Sequence, residues 1–290
     1  LMNEESPNNI RELPIGIFDS GVGGLTVYRA LHDRLPNEKF IYLGDTARVP
    51  YGTKSLSTVE RYAIENSQFL ASRGIKLLVV ACNTASALAL PAIRKAIGID
   101  VIGVIGPGAR KAVSMTKKAN QKRIAVIATE ATVLSNAYPN LIDESSKSDL
   151  EVMQSACPLF VPLAEEGWTA ADETYSIAAK YLHQIAVFDP SVLVLGCTHY
   201  PILKDVIQET VGSNVELIDS GGAAADEVSE LLRSKDLANI EQISYNRDRR
   251  LCDDIDHFFV TDAAERFADV AERFLGVKPS RLEAIELPGV

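Results

Sequence analysis

The 290-residue sequence lacks the features that mark a membrane protein or a nucleic-acid-binding protein. Its 39 acidic residues outnumber its 29 lysines and arginines, and the net charge of −10 disfavours non-specific binding to nucleic acid or to an anionic membrane. No apolar run approaches the roughly 18 residues that a membrane span requires. The polar and acidic residues 1–14 lack the order of a signal peptide. We therefore expect a soluble, cytoplasmic protein with no nucleic-acid or membrane partner.

Cysteine is also scarce, with four residues at positions 82, 157, 197 and 252. None forms a Cys-x-x-Cys pair, and so few thiols in a long chain favour free cysteines in a reducing compartment. Cys197 and His199 could begin a metal site, but no second Cys/His cluster completes it. The glycine-rich turn after Asp19 has Thr26 where the dinucleotide-binding pattern needs glycine. We therefore expect neither a metal nor a nucleotide cofactor.

What the sequence does contain is a regular alternation of short apolar runs and amphipathic stretches. Its length fits two domains or one large α/β domain, and a hydrophobic content of 47% is enough for a substantial core. Seven β-branched runs predict buried parallel strands: Ile15–Phe18, Phe40–Leu43, Leu77–Ala81, Val101–Ile105, Ile124–Ala128, Val192–Leu195 and Val215–Ile218. Apolar residues at helical spacing predict helices over Ser55–Arg73, Ala170–Ile185 and Thr261–Leu275. This alternation predicts an α/β fold with helices on both faces of parallel sheets.

Three strand–turn units occur twice in the same order and at nearly constant spacing. The segments starting at Ile15, Val79 and Val104 align with those starting at Ile124, Val194 and Ile218. Any one match between hydrophobic strands is weak, but the shared order predicts two related α/β domains with pseudo-two-fold symmetry. We expect residues 1–105 and 220–290 to form one domain, completed by C-terminal helices, and residues 106–219 to form the other.

Cys82 and Cys197 coincide in this duplication, since each follows a predicted buried strand and precedes a turn into a helix. Ligands of open α/β sheets bind at the carboxyl ends of the strands. Moving a proton between the two faces of a stereocentre requires a base on one face and an acid on the other, and thiols can serve as either. The alternative is that both are small buried core residues.

Several further residues near these strand ends are candidates, each with a structural alternative. Asp19 could hold a substrate ammonium group or orient a thiol, or it could be a turn residue. Asp45 and Arg48, in a loop without periodicity, could simply pair with each other. Cys157 and Cys252 have no symmetric partner and are expected to be structural, and the charged stretch Asn246–Asp256 is expected to be a solvated loop.

Five ordered motifs closely resemble those of the glutamate racemase family. They are FDSGVGGL at 18–25, GDTARVPYG at 44–52, ACNTAS at 81–86, CPLFVPL at 157–163 and GCTHYP at 196–201. The resemblance extends from Pro14 to Leu275 and implies a cofactor- and metal-independent isomerase that supplies D-glutamate for bacterial peptidoglycan. It also implies two α/β domains with the active site in the cleft between them, and a homodimer. The charged stretch 246–256 resembles no motif of the family.

The resemblance further implies which residues act. Cys82 and Cys197 would be the catalytic thiols, assisted by Asp19, His199 and Glu165, which we choose over Glu166. Glutamate would be bound by Asp19, Ser20, Tyr51, Gly52, Asn83, Thr84, Thr129, Thr132, Thr198 and His199.

Other functions are compatible with the same residues. A sibling racemase or isomerase acting on aspartate, hydantoin or maleate could use the same cysteine pair. A hydrolase could use Cys197 as nucleophile and His199 as base. A two-lobed binding protein without catalytic activity would bury both thiols in its core.

Overall fold

The computed structural model describes residues 10–119, 121–146, 149–239 and 249–287, which contain ten strands and twelve α-helices. The strands are β1 Ile15–Asp19, β2 Phe40–Gly44, β3 Leu77–Val80, β4 Asp100–Gly103, β5 Arg123–Ala128, β6 Glu151–Ala156, β7 Val192–Gly196, β8 Glu216–Asp219, β9 His257–Val260 and β10 Leu282–Ala284. The helices are α1 Leu25–Arg34, α2 Leu56–Ser72, α3 Asn83–Leu88, α4 Leu90–Ala96, α5 Ile105–Ala119, α6 Glu130–Leu134, α7 Ala137–Ser145, α8 Phe160–Glu165, α9 Asp172–Phe188, α10 Lys204–Val211, α11 Ser220–Ser234 and α12 Ala264–Leu275. Short 3-10 helices cover Ile10–Glu12, Thr46–Arg48, Tyr51–Thr53 and Tyr200–Leu203.

The strands form two parallel sheets with the same internal order. The first sheet runs β10-β9-β2-β1-β3-β4, and the second runs β6-β5-β7-β8. The order β2-β1-β3-β4 thus recurs as β6-β5-β7-β8, with every neighbouring pair parallel. This equivalence matches β1 with β5 and β3 with β7, and it confirms the two similar parallel-sheet units predicted from the duplicated sequence.

The central strands are apolar on both faces, because alternate residues enter different parts of the core. Ile15 and Ile17 of β1 belong to a large hydrophobic cluster that also contains Ala125 and Ile127 of β5, whereas Phe18 lies in a cluster on the opposite face. A third cluster covers the other face of the second sheet. The large cluster therefore joins the two sheets through one shared core.

All seven predicted strands are present, with ends that differ by one or two residues. The clearest difference is at Ile105, which begins α5 instead of ending β4. Sequence patterns missed β6, β9 and β10, two of which lie at sheet edges. After Ser220 the sequence predicted only helices, whereas β9 and β10 also extend the first sheet beside β2. The exact domain boundaries stay a prediction, and residues 1–9, 240–248 and 288–290 lie outside the described residues.

The stretch Asn246–Asp256 is a loop in its described part, residues 249–256, as predicted, and Arg250 and Asp254 are exposed, but the prediction that it is solvated is wrong for Arg249 and Asp256. The Arg249 and Asp256 side chains are 2% and 0% exposed and form an ion pair. Asp256 also accepts hydrogen bonds from the Tyr28 hydroxyl at 2.8 Å and from the Phe40 amide at 2.8 Å. The charges are buried because each has an opposite charge or a hydrogen-bond donor nearby. Residues 246–248 lie outside the described part of the chain.

No helix within the described ranges is both long enough and apolar enough to cross a membrane.

Candidate active site

A cleft lies where the carboxyl ends of strands from both sheets meet. Residues following β1 and β3 of the first sheet line one side, and residues following β5 and β7 of the second sheet line the other. The lining residues are Ser20, Gly21, Val49, Pro50, Tyr51, Gly52, Cys82, Asn83, Thr84, Thr129, Val161, Glu165, Cys197, Thr198 and His199. Both thiols expected from the duplication therefore face one cavity.

Cys82 is the N-cap residue of α3, and its Sγ accepts a hydrogen bond from the Ala85 amide at 3.5 Å. The side chain is buried beside the Asp19 carboxyl group. Burial raises the pKa of the Cys82 thiol to about 12, and the negative charge of Asp19 acts in the same direction. Cys82 is consequently a protonated thiol near neutral pH.

Cys197 has a different environment, because His199 links it to a carboxylate. Its Sγ lies 3.8 Å from His199 Nδ1, and His199 Nε2 lies 3.0 Å from Glu165 Oε1. Burial alone would lower the pKa of His199, but the hydrogen bonds to Cys197 and Glu165 outweigh it and raise that pKa to about 10. Burial would likewise raise the pKa of Glu165, but its hydrogen bond to His199 lowers it. The imidazole is thus cationic near neutral pH and stands between a thiol and a carboxylate.

Asp19, the last residue of β1, is fully buried behind the cleft and is not among its lining residues. Its Oδ2 accepts a hydrogen bond from the Gly21 amide at 2.9 Å, whereas Oδ1 has no partner among the described residues. Burial raises the pKa of Asp19, although the positive charge of His199 and nearby backbone amides oppose this. One carboxyl oxygen therefore remains available beside both Cys82 and His199.

Three threonine hydroxyls connect the two sides of the cleft. Thr84 Oγ1 lies 3.0 Å from Thr129 Oγ1 and 3.3 Å from Thr132 Oγ1, and the last two lie 3.0 Å apart. Thr84 and Thr129 line the cleft, whereas Thr132 is buried behind them. Thr26 makes a second connection, since its hydroxyl donates to the Thr198 carbonyl at 2.8 Å.

The loop at 45–52 is held in place by a buried carboxylate. Arg48 Nε donates to both Asp45 oxygens, at 3.0 and 2.8 Å, so the two residues pair as the structural alternative anticipated. Asp45 also accepts hydrogen bonds from the Tyr51 hydroxyl and from Asn66 Nδ2. Tyr51 lines the cleft, but its hydroxyl is engaged by Asp45. Asn66 had no sequence signal, since it lies within the regular pattern of α2.

The structure brings together most of the predicted site residues and separates Glu165 from Glu166. Glu165 contacts His199, whereas the Glu166 side chain is 59% exposed and has Arg266 as its neighbour. Only Asp19 and Thr132 of the predicted set lie behind the cleft surface. The apolar lining residues Val49, Pro50 and Val161 were not predicted as contacts, although all three lie inside recognised motifs.

The remaining thiols lie outside the cleft. Cys157 and Cys252 are buried and unpaired by any disulfide. Within residues 10–119, 121–146, 149–239 and 249–287, no three Cys, His, Asp or Glu side chains converge as a metal site would require.

Comparison with known proteins gives one consistent result. The sequence profile of the Asp/Glu/hydantoin racemase family matches residues 15–228. A glutamate racemase from Geobacter metallireducens is 50% identical over 91% of this chain and 93% of its own length. A crystal structure of a glutamate racemase from Bacillus anthracis superposes with a TM-score of 0.87 at 36% identity, over 96% of this chain and 99% of that one. The glutamate racemase from Francisella tularensis, solved in complex with D-glutamate, superposes with a TM-score of 0.84 at 37% identity, over 97% of this chain and 100% of that one.

Proposed function

This chain belongs to the Asp/Glu/hydantoin racemase family as one of its glutamate racemases, and from that premise we propose that it interconverts L- and D-glutamate by exchanging the α-proton between two thiols. One observation carries the two-thiol chemistry. Cys82 and Cys197 follow equivalent strands of the two sheets, and both line the same cleft. Opposed acid and base groups are what inversion at a single carbon requires.

The unequal surroundings of the two thiols support a defined starting state. Cys82 keeps its proton because burial raises its pKa to about 12. The cationic His199 lies where it can stabilise a thiolate on Cys197, with Glu165 stabilising the imidazolium. One thiolate and one thiol are then present together, as a two-base reaction needs.

The proposed reaction keeps the proton balance within the cleft. The Cys197 thiolate takes the α-proton from one face of the substrate, and the Cys82 thiol gives its proton to the opposite face. Cys197 is then the thiol and Cys82 the thiolate, which is the form suited to the other enantiomer. The Ala85 amide that donates to Cys82 Sγ stabilises this second thiolate.

We assign the substrate contacts by the chemistry of the lining groups. The α-carboxylate would accept hydrogen bonds from Asn83, Thr84 and Thr198 and from nearby backbone amides. Ser20, which lines the cleft, would face the ammonium group, and the buried carboxyl group of Asp19 behind it would supply the complementary charge. The remaining predicted contacts that line the cleft are Tyr51, Gly52, Thr129 and His199, and Thr132 would act through its hydrogen bond with Thr129.

The experiment that tests this proposal follows solvent exchange at the α-carbon. L-glutamate and D-glutamate are incubated separately with the pure protein in D₂O, and deuterium is measured in both enantiomers. We expect α-deuterium in the product from either starting enantiomer, because each thiol exchanges its proton with solvent. Absence of deuterium from both would refute the racemase proposal.

Cysteine variants test the two-thiol assignment separately. Cys82→Ser and Cys197→Ser should each abolish most racemisation, since a serine hydroxyl is a far weaker acid than a thiol. Cys157→Ser is the matched control, because that thiol is buried outside the cleft. Loss of activity in only one of the two cleft variants would contradict the two-base assignment.

The chain Cys197–His199–Glu165 also has the arrangement of a nucleophile, base and acid in cysteine hydrolases, so a hydrolase is the second candidate. A hydrolase would form an acyl-thioester on Cys197, detectable by mass spectrometry, and would not need Cys82. A panel of glutamate, aspartate, hydantoin and maleate separates glutamate racemisation from the reactions of sibling enzymes.

We further propose that the D-glutamate supplies peptidoglycan synthesis in the cytoplasm and that the protein acts as a homodimer. These proposals rest on membership of the glutamate racemases. Rescue of a D-glutamate-requiring bacterium tests the first, and light scattering of the purified protein tests the second.

A further inference from the structure

Helix α12 contacts both members of the Glu165–His199 pair, although it lies far from them in the sequence. We propose that α12 is a positioning element for this pair, with Arg273 and Phe274 as the positioning residues. The role in turnover rests on the proposed racemase function, whereas the effect on the geometry of the pair does not.

The helix is anchored on the side of the first sheet. The ring of Phe267 lies 5.8 Å from that of Tyr42 in β2, and Arg29 Nη2 of α1 donates to the Phe274 carbonyl at 2.6 Å. Phe267, Val270, Ala271 and Phe274 are buried along one stripe of the helix. Gly276, with φ of 78°, ends the helix in the left-handed conformation that favours glycine.

From this anchor, α12 reaches the residue that orients the imidazole. Glu165 is the last residue of α8, and its backbone carbonyl accepts a hydrogen bond from Arg273 Nη1 at 2.5 Å. Carbonyls at a helix end lack a partner within the helix, so an arginine from another helix can fix that end. Arg266, two turns earlier on the same face, lies 3.8 Å from Glu165 Oε2. With Oε2 facing Arg266, Oε1 faces His199.

Phe274 acts on the other partner. Its ring is buried and stands nearly perpendicular to the His199 imidazole, at 88° with 5.9 Å between centroids. This contact limits rotation of the imidazole ring out of its present plane. Cys197 and Glu165 lie next to its two ring nitrogens. The Arg266 ion pair is long and exposed, so it contributes less than the buried ring of Phe274. The Arg273 contact is also exposed, but it is a direct hydrogen bond of 2.5 Å.

The charged groups around Glu165 and His199 determine in which direction the pKa of His199 changes when Glu165 moves. His199 faces Asp19 from β1, Cys197 from the end of β7 and Glu165 from α8. Glu165 faces His199 and Arg266. If Glu165 moves away, His199 loses a hydrogen bond that raises its pKa, and that pKa falls from about 10 towards 6.5.

The test is an NMR titration of His199 together with steady-state kinetics. The His199 resonance can be assigned among those of the four histidines because it is missing from the spectrum of His199→Gln. Arg273→Met keeps the alkyl part of the side chain but removes the donor. We expect the titration midpoint of His199 to fall to lower pH, and the alkaline limb of the pH–rate profile to move with it. We also expect kcat to fall about 10- to 100-fold while KM stays within twofold of the wild type. Arg273→Lys retains a donor and should restore part of both effects. Arg34→Met, at an exposed ion pair on α1, is the matched control.

An unchanged His199 midpoint and unchanged kcat in folded Arg273→Met would overturn the proposal. If Arg273→Met fails to fold, Phe274→Leu gives the same decision, because it should lower kcat and shift the alkaline limb in the same direction. If the wild type does not racemise glutamate, the titration still judges the positioning role.

Discussion

At the scale of single residues, the glycine turn after β1 sets how closely the two sides of the cleft approach. A Cβ at Gly23 would lie 2.3 Å from Thr198 Oγ1 and 2.5 Å from His199 Nδ1. Such distances are far inside van der Waals contact, so a side chain must move. Gly23 therefore lies in the first half of the molecule, whereas Thr198 and His199, which occupy the space that its side chain would need, lie in the second half.

We predict that Gly23→Ala lowers kcat about 10- to 100-fold by displacing His199 from Cys197, with little loss of folded protein. The measurement is racemisation kinetics alongside thermal unfolding. Gly98→Ala is the matched control, because a Cβ there meets nothing within 4 Å. Equal activities of the two variants would show that the close approach at Gly23 is unimportant.

The charge of His199 also makes a pH-dependent contribution to stability. Its pKa is raised in the folded protein, so this contribution is fully present below about 6.5 and is lost as the pH rises through about 10. We predict that the free energy of unfolding of the wild type exceeds that of His199→Gln by an amount that shrinks across this range. Urea titrations at several pH values measure it, with exposed His183→Gln as the control. A difference that is constant with pH would contradict the assignment.

At the scale of elements, the stretch 249–256 connects α1 and β2 through buried contacts. Arg249 contacts Asp256 and the Glu38 carbonyl, and Asp256 in turn holds Tyr28 and Phe40. The segment lies outside the candidate site. Its importance should therefore appear in stability and not in catalysis.

We predict that Arg249→Met destabilises the protein by about 3–5 kcal/mol, because it leaves the Asp256 carboxylate buried without its cation. The KM of the folded fraction should stay within twofold of the wild type. Arg250→Met provides the comparison, since this neighbouring side chain is exposed. Denaturant unfolding distinguishes them, and equal midpoints would mean that the buried pair is not needed.

The elements that the sequence predicted and those that it missed differ in burial. β1, β3, β5 and β7 are apolar on both faces, and their continuous runs are unmistakable. β6 is only partly buried at a sheet edge, so its Glu, Gln and Ser residues conceal the strand. The burial of Arg249 was not predicted, because a run of charged residues in the sequence does not reveal which of them pair in the folded protein. The position of Cys82 and Cys197 at one cleft could be predicted from the sequence, because two equivalent positions carry the same residue.

At the scale of the whole molecule, the two sheets share one large hydrophobic cluster. Ile17 of the first sheet and Ile127 and Leu195 of the second belong to it. Hydroxyl bonds between Thr84 and Thr129 and from Thr26 to Thr198 add polar links across the same boundary. Neither half can lose its fold without exposing core surface of the other.

We predict a single cooperative unfolding transition, with calorimetric and van't Hoff enthalpies in close agreement. Differential scanning calorimetry measures both, and glutamate should move the one transition upward if it binds the folded cleft. Two resolved transitions, with only one responding to glutamate, would show that the halves unfold independently.

The matched strand order places unlike neighbours around two like sulfur atoms: a carboxyl group beside Cys82 and an imidazole beside Cys197. For mirror-image substrates in achiral water the equilibrium constant is one, so the Haldane relation makes kcat/KM equal for both enantiomers. Nothing requires kcat or KM to be equal separately. Unequal neighbours let one enantiomer bind more tightly and turn over more slowly, while the ratio is conserved.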